Sequence, residues 1–398
     1  EIEPDAFAVL IFTSGTTSAA KGVMISNTNL AYNINSVTPY VYLTPEDRLF
    51  SVLPLHHTYE STIGFLYPMA VGASIVVCQG LKHIAGDMKE TSPTAIIAVP
   101  LLIESLYKKI NQGIEKSGKS SAVKSMISLT NGLKNLGIDV RKVFKDIYAN
   151  LGGALRIVVS AAAPIDAKVG RWLSDIGITF LQGYGLTETA PIAALTPDWD
   201  TRVGSAGKSV IWDQIKIKEP DEKGEGEILI KGKTVMLGYY EDPEATALAV
   251  QDGWFNSGDI GYLDEDGFLY ITGRSKNVIV TQNGKNIYPE EIENLLSKVE
   301  EIAECMVYGK EVAGEKELVV TARVIPDYER IEELHGEIPA EEDIYKIIWD
   351  QIKKVNRKLN NYKTVKKLEI KQDQFEKTST MKIKRYAELA KDKETQQK

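Results

Sequence analysis

The chain has 398 residues, of which 43% are hydrophobic and 26% charged, and 55 acidic against 47 basic residues leave a formal net charge of −8. This composition is typical of globular domains with sizeable cores, and the length favours two or three of them. A mildly acidic chain is a poor non-specific partner for nucleic acid, and no apolar run approaches the roughly 20 residues that a membrane-spanning helix needs. We therefore expect neither a nucleic-acid-binding protein nor a transmembrane segment.

The two cysteines, Cys78 and Cys305, lie far apart and match no metal-binding spacing. We expect free thiols and a reducing compartment, the cytoplasm. No secretory signal pattern opens the chain. It starts without Met at Glu1 and reaches an apolar strand within a few residues, so we expect a natural N-terminal part to precede it.

Short apolar runs alternate with segments of helical character over the first two-thirds of the chain, which favours α/β layers around a largely buried sheet. A helix is predicted over Asn27–Val37, with Asn27 as its N-cap. The polar, Lys-rich stretch Glu115–Asn150 is predicted to be a solvated helical arm. The strand candidates are Ala6–Phe12, Leu49–Leu53, Ser74–Cys78, Thr94–Val99, Leu155–Ser160 and Ile178–Leu181.

Short β runs and hairpin turns dominate after Trp212, which predicts a β-rich subdomain over 213–273 within a large domain of residues 1–274. The pattern changes again after Arg274. Strands and helices then alternate over 275–398, which predicts a compact α+β domain. Its predicted elements are strands Val278–Val280, Ile302–Tyr308 and Glu317–Ile325 and helices Pro289–Lys298 and Ile344–Leu359.

The segment richest in small hydroxyl residues and glycine is Thr13–Gly22, predicted to follow a strand and precede a helix. Such a loop lets backbone N–H groups and hydroxyls approach an anion closely, and Lys21 adds a positive charge. The common P-loop does not fit, because Ala20 precedes Lys21 and Gly22 follows it. A polar turn with an ordinary lysine is the alternative. The loop residues concerned are Thr13, Ser14, Gly15, Thr16, Thr17 and Lys21.

Six further segments, taken with this loop, resemble the adenylate-forming superfamily, which comprises acyl-CoA synthetases, adenylation domains of peptide synthetases and luciferases. The family loop runs T-S-G-T-T-G-x-P-K-G, and Ser18 and Ala20 replace its Gly and Pro here. Met381 likewise replaces a family Gly. The matching segments, in the family order, are Pro54–Glu60, Ser160–Pro164, Gly183–Thr189, Trp254–Ile260, Gly273–Asn277 and Lys377–Arg385.

Each segment alone has a plainer interpretation. His56 and His57 could be structural histidines, Gly183–Thr189 a glycine-rich turn, Asp259 a turn residue, and Lys377–Arg385 a Lys-rich surface strand. The shared order of seven segments favours the functional interpretation.

The resemblance implies an ATP site in a large α/β adenylation domain, incomplete at its N-terminus, that carries a β-rich subdomain and a small mobile α+β C-terminal domain. In the family, the loop residues hold phosphate, small residues leave room for adenine, an aromatic residue covers it, and an acidic residue accepts the ribose hydroxyls. By motif position these are Ala162, Ala163 and Pro164, then Gly183, Tyr184 and Gly185, then Asp259, with Arg274 on ribose or phosphate.

The resemblance also implies catalytic roles. Lys382 would reach the acyl carboxylate and the α-phosphate, and Thr187 and Lys21 would add counter-charge. Glu188 and Thr17 would hold Mg²⁺, and His57 would lie at the mouth of the acyl pocket. The small domain would rotate about Lys276 and present a second face, containing Gly284, to CoA.

The stretches Leu151–Asp166 and Gly273–Glu293 resemble bacterial long-chain fatty acyl-CoA ligases most. The implied reaction is ATP- and Mg-dependent formation of acyl-AMP from a long-chain fatty acid, followed by thioester formation with CoA. Two alternatives stay open: an adenylation enzyme that loads a carrier protein, and an inactive nucleotide-binding fragment. Peripheral membrane association also stays open.

Overall fold

The computed structural model describes residues 3–13, 20–134, 140–281, 285–312, 314–315, 318–378 and 382–396. Its strands are β1 (Phe7–Thr13), β2 (Lys21–Ser26), β3 (Arg48–Ser51), β4 (Ser74–Val77), β5 (Ala95–Ala98), β6 (Ile157–Ser160), β7 (Thr179–Gly185), β8 (Ile192–Leu195), β9 (Lys208–Ser209), β10 (Asp213–Lys218), β11 (Gly226–Gly232), β12 (Gly238–Tyr239), β13 (Val250–Gln251), β14 (Trp254–Leu263), β15 (Leu269–Arg274), β16 (Ile279–Val280), β17 (Asn286–Ile287), β18 (Ile302–Lys310), β19 (Val319–Pro326) and β20 (Lys367–Ile370).

The α-helices are α1 (Asn27–Val37), α2 (Tyr67–Val71), α3 (Ile84–Thr91), α4 (Pro100–Lys116), α5 (Ser120–Lys134), α6 (Lys145–Asn150), α7 (Ala167–Asp175), α8 (Pro243–Ala249), α9 (Pro289–Leu296), α10 (Tyr328–His335), α11 (Glu341–Asn356) and α12 (Arg385–Gln396). A π-helix spans Tyr59–Leu66, and 3₁₀ turns span Val140–Phe144, Thr187–Thr189, Ser275–Asn277 and Asn361–Lys363. None of the helices in the described ranges is long and apolar enough to cross a membrane.

A seven-stranded sheet with the order β4-β3-β5-β6-β7-β8-β9 organises the first half of the chain. The strands from β4 to β7 are parallel, whereas β8 and β9 pair antiparallel. Alternate residues of one strand face two different cores: Val158 packs on one side with α4 and α7, and Val159 on the other with α1 and the π-helix. Both faces are covered, so the central strands are continuous apolar runs, and the predicted strands are confirmed.

Helix α1 begins one residue earlier than its predicted cap implies. Ser26 is the N-cap: its hydroxyl accepts the Asn29 N–H at 3.1 Å, and the Asn29 side chain accepts the Ser26 N–H at 2.8 Å. This reciprocal pair is a capping box. The prediction that Asn27 caps the helix is therefore wrong, because Asn27 is its first residue.

The stretch predicted as a solvated arm is partly built into the core. Helices α4 and α5 carry exposed lysines, but Val140, Phe144, Ile147 and Tyr148 are each at most 5% exposed and pack against the main sheet. Burial of these four side chains fixes the second half of the stretch to the sheet. The solvated-arm prediction is wrong there, and residues 135–139 lie outside the described part.

Two further sheets, both antiparallel, share a core. One has the order β1-β2-β12, and the other has the order β10-β11-β14-β13 with β15 also paired to β14. Ile25 from the first sheet and Ile228 and Phe255 from the second meet in one apolar cluster. The predicted α/β fold class with a β-rich part is confirmed.

The last part of the chain has a separate core between Ile279 and Leu368, in which α9 and α11 cover the sheet β18-β19-β20. Helix α10 has no predicted counterpart. Ion pairs between described residues connect this part to the helical layers of the main sheet, among them Lys108 to Asp327 at 3.1 Å and Lys298 to Asp166 at 3.9 Å. Cys78 and Cys305 are free thiols, as predicted.

Candidate active site

One edge of the main sheet gathers several of the predicted site segments. Parallel strands end at the same edge, and in open α/β sheets ligands bind outside these carboxyl ends. His57 follows β3, the small residues Ala162, Ala163 and Pro164 follow β6, and Gly183, Tyr184 and Gly185 form the end of β7. Ala162 has a φ of 75°, an uncommon left-handed conformation for a residue with a Cβ.

Asp259 forms the centre of the best-defined side-chain cluster. It is 4% exposed, its Oδ2 accepts the Tyr184 hydroxyl at 2.8 Å, and its Oδ1 lies 3.0 Å from Nε of Arg274. Burial, and then the nearby Asp259 charge, raise the pKa of Tyr184 well above its usual value, so the phenol stays a donor. Three segments predicted to form one site therefore meet in this structure.

Glu188, Tyr239 and Lys21 form a second group, and the charges of Arg274 and Asp259 act on its glutamate. Oε1 of Glu188, in the 3₁₀ turn Thr187–Thr189, accepts the Tyr239 hydroxyl at 3.0 Å. The ammonium of Lys21 lies 4.6 Å from the centre of the same tyrosine ring. Burial raises the pKa of Glu188, and the charges of Arg274 and Asp259 also act on it, in opposite directions. Thr187, the neighbour of Glu188, is half-buried.

The phosphate-loop segment has a different local fold from the predicted one. Thr13 ends β1 and Lys21 begins β2, and these two residues pair across an antiparallel hairpin. The prediction of a strand-to-helix turn is wrong, because β2 intervenes before α1 and gains a second partner strand, β12. Lys21 is consequently held on a strand rather than at a helix N-terminus. The predicted phosphate-binding residues Ser14, Gly15, Thr16 and Thr17 lie outside the described part of the chain.

The charges of Asp259 and Arg274 act on the ammonium group of Lys382. Its backbone N–H donates to the Thr378 hydroxyl at 3.1 Å. The surrounding protein, and then the Arg274 charge, lower the pKa of Lys382 to about 8, while Asp259 acts in the opposite direction. The residue is nevertheless exposed to solvent. A residue 123 positions after Asp259 in the sequence is thus within range of its charge.

The remaining predicted site residues are placed less distinctively. Lys276 is exposed in the 3₁₀ turn Ser275–Asn277. His57 is half-buried, its ring centre lies 4.3 Å from that of His56, and burial, followed by the neighbouring imidazole, lowers its pKa. Gly284 lies outside the described residues.

Two residues of interest were not found by sequence reasoning. Tyr239 bridges Glu188 and Lys21, yet no motif marked it, and its only sequence signal is an aromatic residue directly after Gly238. Glu60 is within a matching segment but had no assigned role, and it is fully buried.

Comparison with known sequences gives a consistent result. Residues 1–240 match the family model described as AMP-binding enzyme, and residues 276–394 match that of the AMP-binding enzyme C-terminal domain. The chain is 30% identical to the long-chain-fatty-acid–CoA ligase FadD15 of Mycobacterium tuberculosis over 95% of its own length and 66% of that protein. It is 32% identical to human long-chain-fatty-acid–CoA ligase 1 over 82% of its length and 49% of that protein. The chain thus spans 49% and 66% of the length of these two relatives.

Solved structures agree on the fold. The o-succinylbenzoate CoA synthetase of Bacillus subtilis, in complex with the acyl-adenylate intermediate OSB-AMP, superposes with a TM-score of 0.74 at 25% identity, covering 97% of this chain and 69% of that one. The same enzyme in complex with ATP and magnesium gives a TM-score of 0.74 at 26% identity, covering 97% and 70%. With both family models matched in order along its length, the chain belongs to the AMP-binding, adenylate-forming enzyme family.

Proposed function

We propose that the protein activates a long-chain fatty acid with ATP to form acyl-AMP and pyrophosphate, and then transfers the acyl group to CoA. The observation that carries this proposal is the contact of Tyr184 and Arg274 with Asp259. The charges of Arg274 and Asp259 also act on the pKa of Lys382. The names of the curated relatives and the stretch Gly273–Glu293 support the long-chain acid as substrate.

In the first half-reaction, a carboxylate oxygen of the fatty acid attacks the α-phosphorus, and the bond to the bridging oxygen of pyrophosphate breaks. Negative charge builds up around phosphorus, so fixed positive groups and hydrogen-bond donors accelerate the step. In this proposal Lys382 faces the carboxylate and α-phosphate, Lys21 faces the leaving phosphates, and the Thr187 hydroxyl donates near the α-phosphate.

The nucleoside contacts follow from the chemistry of the groups. A carboxylate offers about four acceptor positions, and Asp259 uses one oxygen for Tyr184 and the other for Arg274, so lone pairs remain for ribose hydroxyls. The small side chains of Ala162, Ala163 and Pro164 leave room for adenine. The loop from Thr13 through Ser14, Gly15, Thr16 and Thr17 would donate to the phosphates.

Magnesium fits this donor set as a partner of ATP. Among the described residues, no group of three or more His, Cys, Asp or Glu side chains could form a metal cage by itself. Mg²⁺ usually keeps several waters and needs only one or two carboxylates beside the phosphates. Glu188, whose Oε1 has Tyr239 as partner, would supply one oxygen and Thr17 another. The ion would neutralise phosphate charge.

In the second half-reaction the sulfur of CoA attacks the acyl carbon, AMP leaves, and the thiol gives up its proton. We propose that residues 275–398 form a mobile domain with its hinge near Lys276, and that residues 1–274 form the large domain with the β-rich subdomain 213–273. Exposed Lys276 in a short 3₁₀ turn suits a hinge. Rotation would remove Lys382 and bring the face containing Gly284 towards CoA.

ATP–pyrophosphate exchange that depends on a long-chain fatty acid tests the first half-reaction. The expected result is exchange with a long-chain acid without CoA, and acyl-CoA formation once CoA is added. Exchange that proceeds while CoA yields no thioester, together with acylation of a carrier protein, would reverse the choice of acceptor. Absence of both exchange and ATP binding would leave only the reading of the chain as an inactive fragment.

The cellular setting forms a separate part of the proposal. Both cysteines are free thiols, which suits the cytoplasm. A long-chain acid partitions into lipid, so peripheral association with membranes would bring the protein to its substrate. Co-sedimentation with lipid vesicles in the presence and absence of salt tests that association.

A further inference from the structure

Glu60 has the most deeply buried carboxyl group near the predicted acyl-pocket mouth. It is 0% exposed and lies in the π-helix Tyr59–Leu66. Its Oε2 has no hydrogen-bond partner within the described part of the chain. Burying such a group is costly, and π-helices are frequent at functional sites, so this carboxyl requires an explanation.

The partners of Glu60 come from the opposite end of a short loop. Its Oε1 accepts the hydroxyl of Ser51, the last residue of β3, and its carboxyl also accepts the backbone N–H of Leu53. Five residues lie between Leu53 and the start of the π-helix at Tyr59: Pro54, Leu55, His56, His57 and Thr58. One carboxyl therefore joins both ends of the loop that carries the two histidines.

The turn itself is short and hydrogen-bonded at its centre. The His57 N–H donates to the Pro54 carbonyl at 3.1 Å, and the Ser61 hydroxyl donates to the His57 carbonyl at 3.1 Å. Pro54 and His56 are exposed, whereas Ser51 and Glu60 beneath them are buried. The exposed turn is thus attached to the core through the Glu60 carboxyl.

The Glu60 carboxyl has space beside β3 because residue 64 is a glycine. A Cβ on Gly64, one helical turn further on, would lie 2.7 Å from both Cδ and Oε1 of Glu60 and 2.8 Å from Ile97. A side chain at position 64 would push the carboxyl away from Ser51. Glycine there keeps the contact possible.

Burial favours the uncharged form of the Glu60 carboxyl. Burial raises the pKa of Glu60 to about 7 despite the opposing hydrogen bonds from Ser51 and Leu53. Ser51 and Ile97, from strands β3 and β5, and Leu53, just after β3, carry no charge. Tyr59 is a titratable neighbour, and burial, followed by the Glu60 charge, raises its pKa. A glutamine amide is therefore a close substitute for the carboxyl near neutral pH.

We propose that Glu60 is the positioning residue of the His56–His57 turn and thereby sets how the fatty acid enters the site. This inference deepens the proposed function and rests on it for the identity of the substrate. Glu60 acts through His57 and contacts no reacting atom. It is assigned no role by the matching motifs beyond its place in the segment Pro54–Glu60.

The kinetic test uses Glu60→Ala, Glu60→Gln and Ser51→Ala, with Asp213→Asn as a matched control. Asp213 is also buried, its pKa is also raised to about 7 by burial, and it also accepts a hydroxyl, that of Thr234, but it begins β10. We expect Glu60→Ala to raise KM for the fatty acid about 10-fold or more while KM for ATP stays within about twofold. Ser51→Ala should also raise KM for the fatty acid, whereas Glu60→Gln should leave KM for the fatty acid close to the wild-type value.

A second measurement needs no enzymatic activity. The chain has only four histidines, so the ring signals of His57 can be followed by NMR and assigned with His57→Gln. Glu60→Ala should move the His57 signals, whereas Glu60→Gln and Asp213→Asn should leave them in place. The NMR measurement tests whether Glu60 positions the His56–His57 turn even if the wild-type protein shows no fatty-acid-dependent exchange. Such a lack of exchange would count against the proposed function alone.

Two results would overturn the inference. One is a Glu60→Ala protein whose His57 signals and KM for the acid match the wild type. The other is a loss of kcat and stability in Glu60→Ala that Asp213→Asn reproduces without any selective change in KM for the acid. If Glu60→Ala does not fold, Ser51→Ala decides by the same two criteria.

Discussion

Asp259 and Arg274 lie directly opposite each other on the antiparallel strands β14 and β15, with Oδ1 of Asp259 3.0 Å from Nε of Arg274. The pair therefore belongs to a hairpin, which holds both groups rigidly at the site. Tyr184 reaches the other carboxylate oxygen from the main sheet, so Asp259 also connects two sheets.

Asp259→Asn should weaken ATP binding about 10- to 100-fold, because an amide is a poorer acceptor for ribose and leaves Arg274 without its ion pair. The free energy of unfolding should fall by about 1.5–3 kcal/mol, the usual range for a hydrogen bond to a charged group. ATP titration calorimetry and urea denaturation measure the two effects. Asp266→Asn, which removes an exposed partner of Arg202, should change neither ATP affinity nor exchange activity.

Lys382→Ala should slow fatty-acid-dependent pyrophosphate exchange about 100- to 1000-fold, the range for removal of one group that stabilises developing charge. Transfer of the acyl group from pre-formed acyl-AMP to CoA should change much less, because Lys382 is expected to leave the site before that step. Comparable losses in the two half-reactions would contradict the two-state hinge. Lys384→Ala, on a neighbouring lysine paired to Glu376, is the control variant.

The pH dependence of the first half-reaction should report Lys382. Its pKa is lowered to about 8, so the ammonium that the reaction needs is present below that pH and lost as the pH rises through it. We expect kcat/KM for ATP in the exchange assay to fall above about pH 8, because this ratio reflects the free enzyme. Lys382→Arg, whose side chain stays charged throughout, should remove the decline, and a decline that persists in this variant would assign it to another group.

Gly64→Ala should lower the free energy of unfolding by about 1–3 kcal/mol, because the new methyl group overlaps Glu60 and Ile97 in a closed part of the core. Gly113→Ala is the matched comparison, since a Cβ there meets nothing within 4 Å and Gly113 is exposed in α4. That variant should be neutral or more stable by up to about 1 kcal/mol, owing to the better helix propensity of alanine. Urea denaturation of the two variants under one condition measures the difference.

The central strands and the order of the seven segments could be predicted because both depend on nearby residues. Strands such as β5 and β6 are buried on both faces, so each is a continuous apolar run in the sequence itself. The segments that contain Tyr184, Asp259 and Lys382 could be assigned to one site only through their resemblance to a family. Nothing in their spacing fixes a distance between residues 184, 259 and 382.

Other features were inaccessible to sequence reasoning because they depend on non-local pairing and burial. The pairing of strand β2 with β12, which lies more than 200 residues further along the chain, is one such feature. The N-cap is a local exception: it lies at Ser26 and not at Asn27 because the side chains of Ser26 and Asn29 each accept the other residue's backbone N–H. The second half of the stretch 115–150 was predicted to be a solvated arm because its sequence is polar overall, and only the structure shows that some of its apolar side chains are buried.

By itself, the sequence determined the apolar strands, the glycine and hydroxyl chemistry of the loop after Thr13, and the family to which the chain belongs. Only the tertiary structure decided that Lys21 is held on a strand beside Tyr239, that Asp259 connects Tyr184 to Arg274, and that Glu60 ties the His56–His57 turn to β3. The physical reason is that a local pattern reports what a residue prefers, whereas a shared hydrogen bond or a lowered pKa depends on which distant groups the fold brings within a few ångströms.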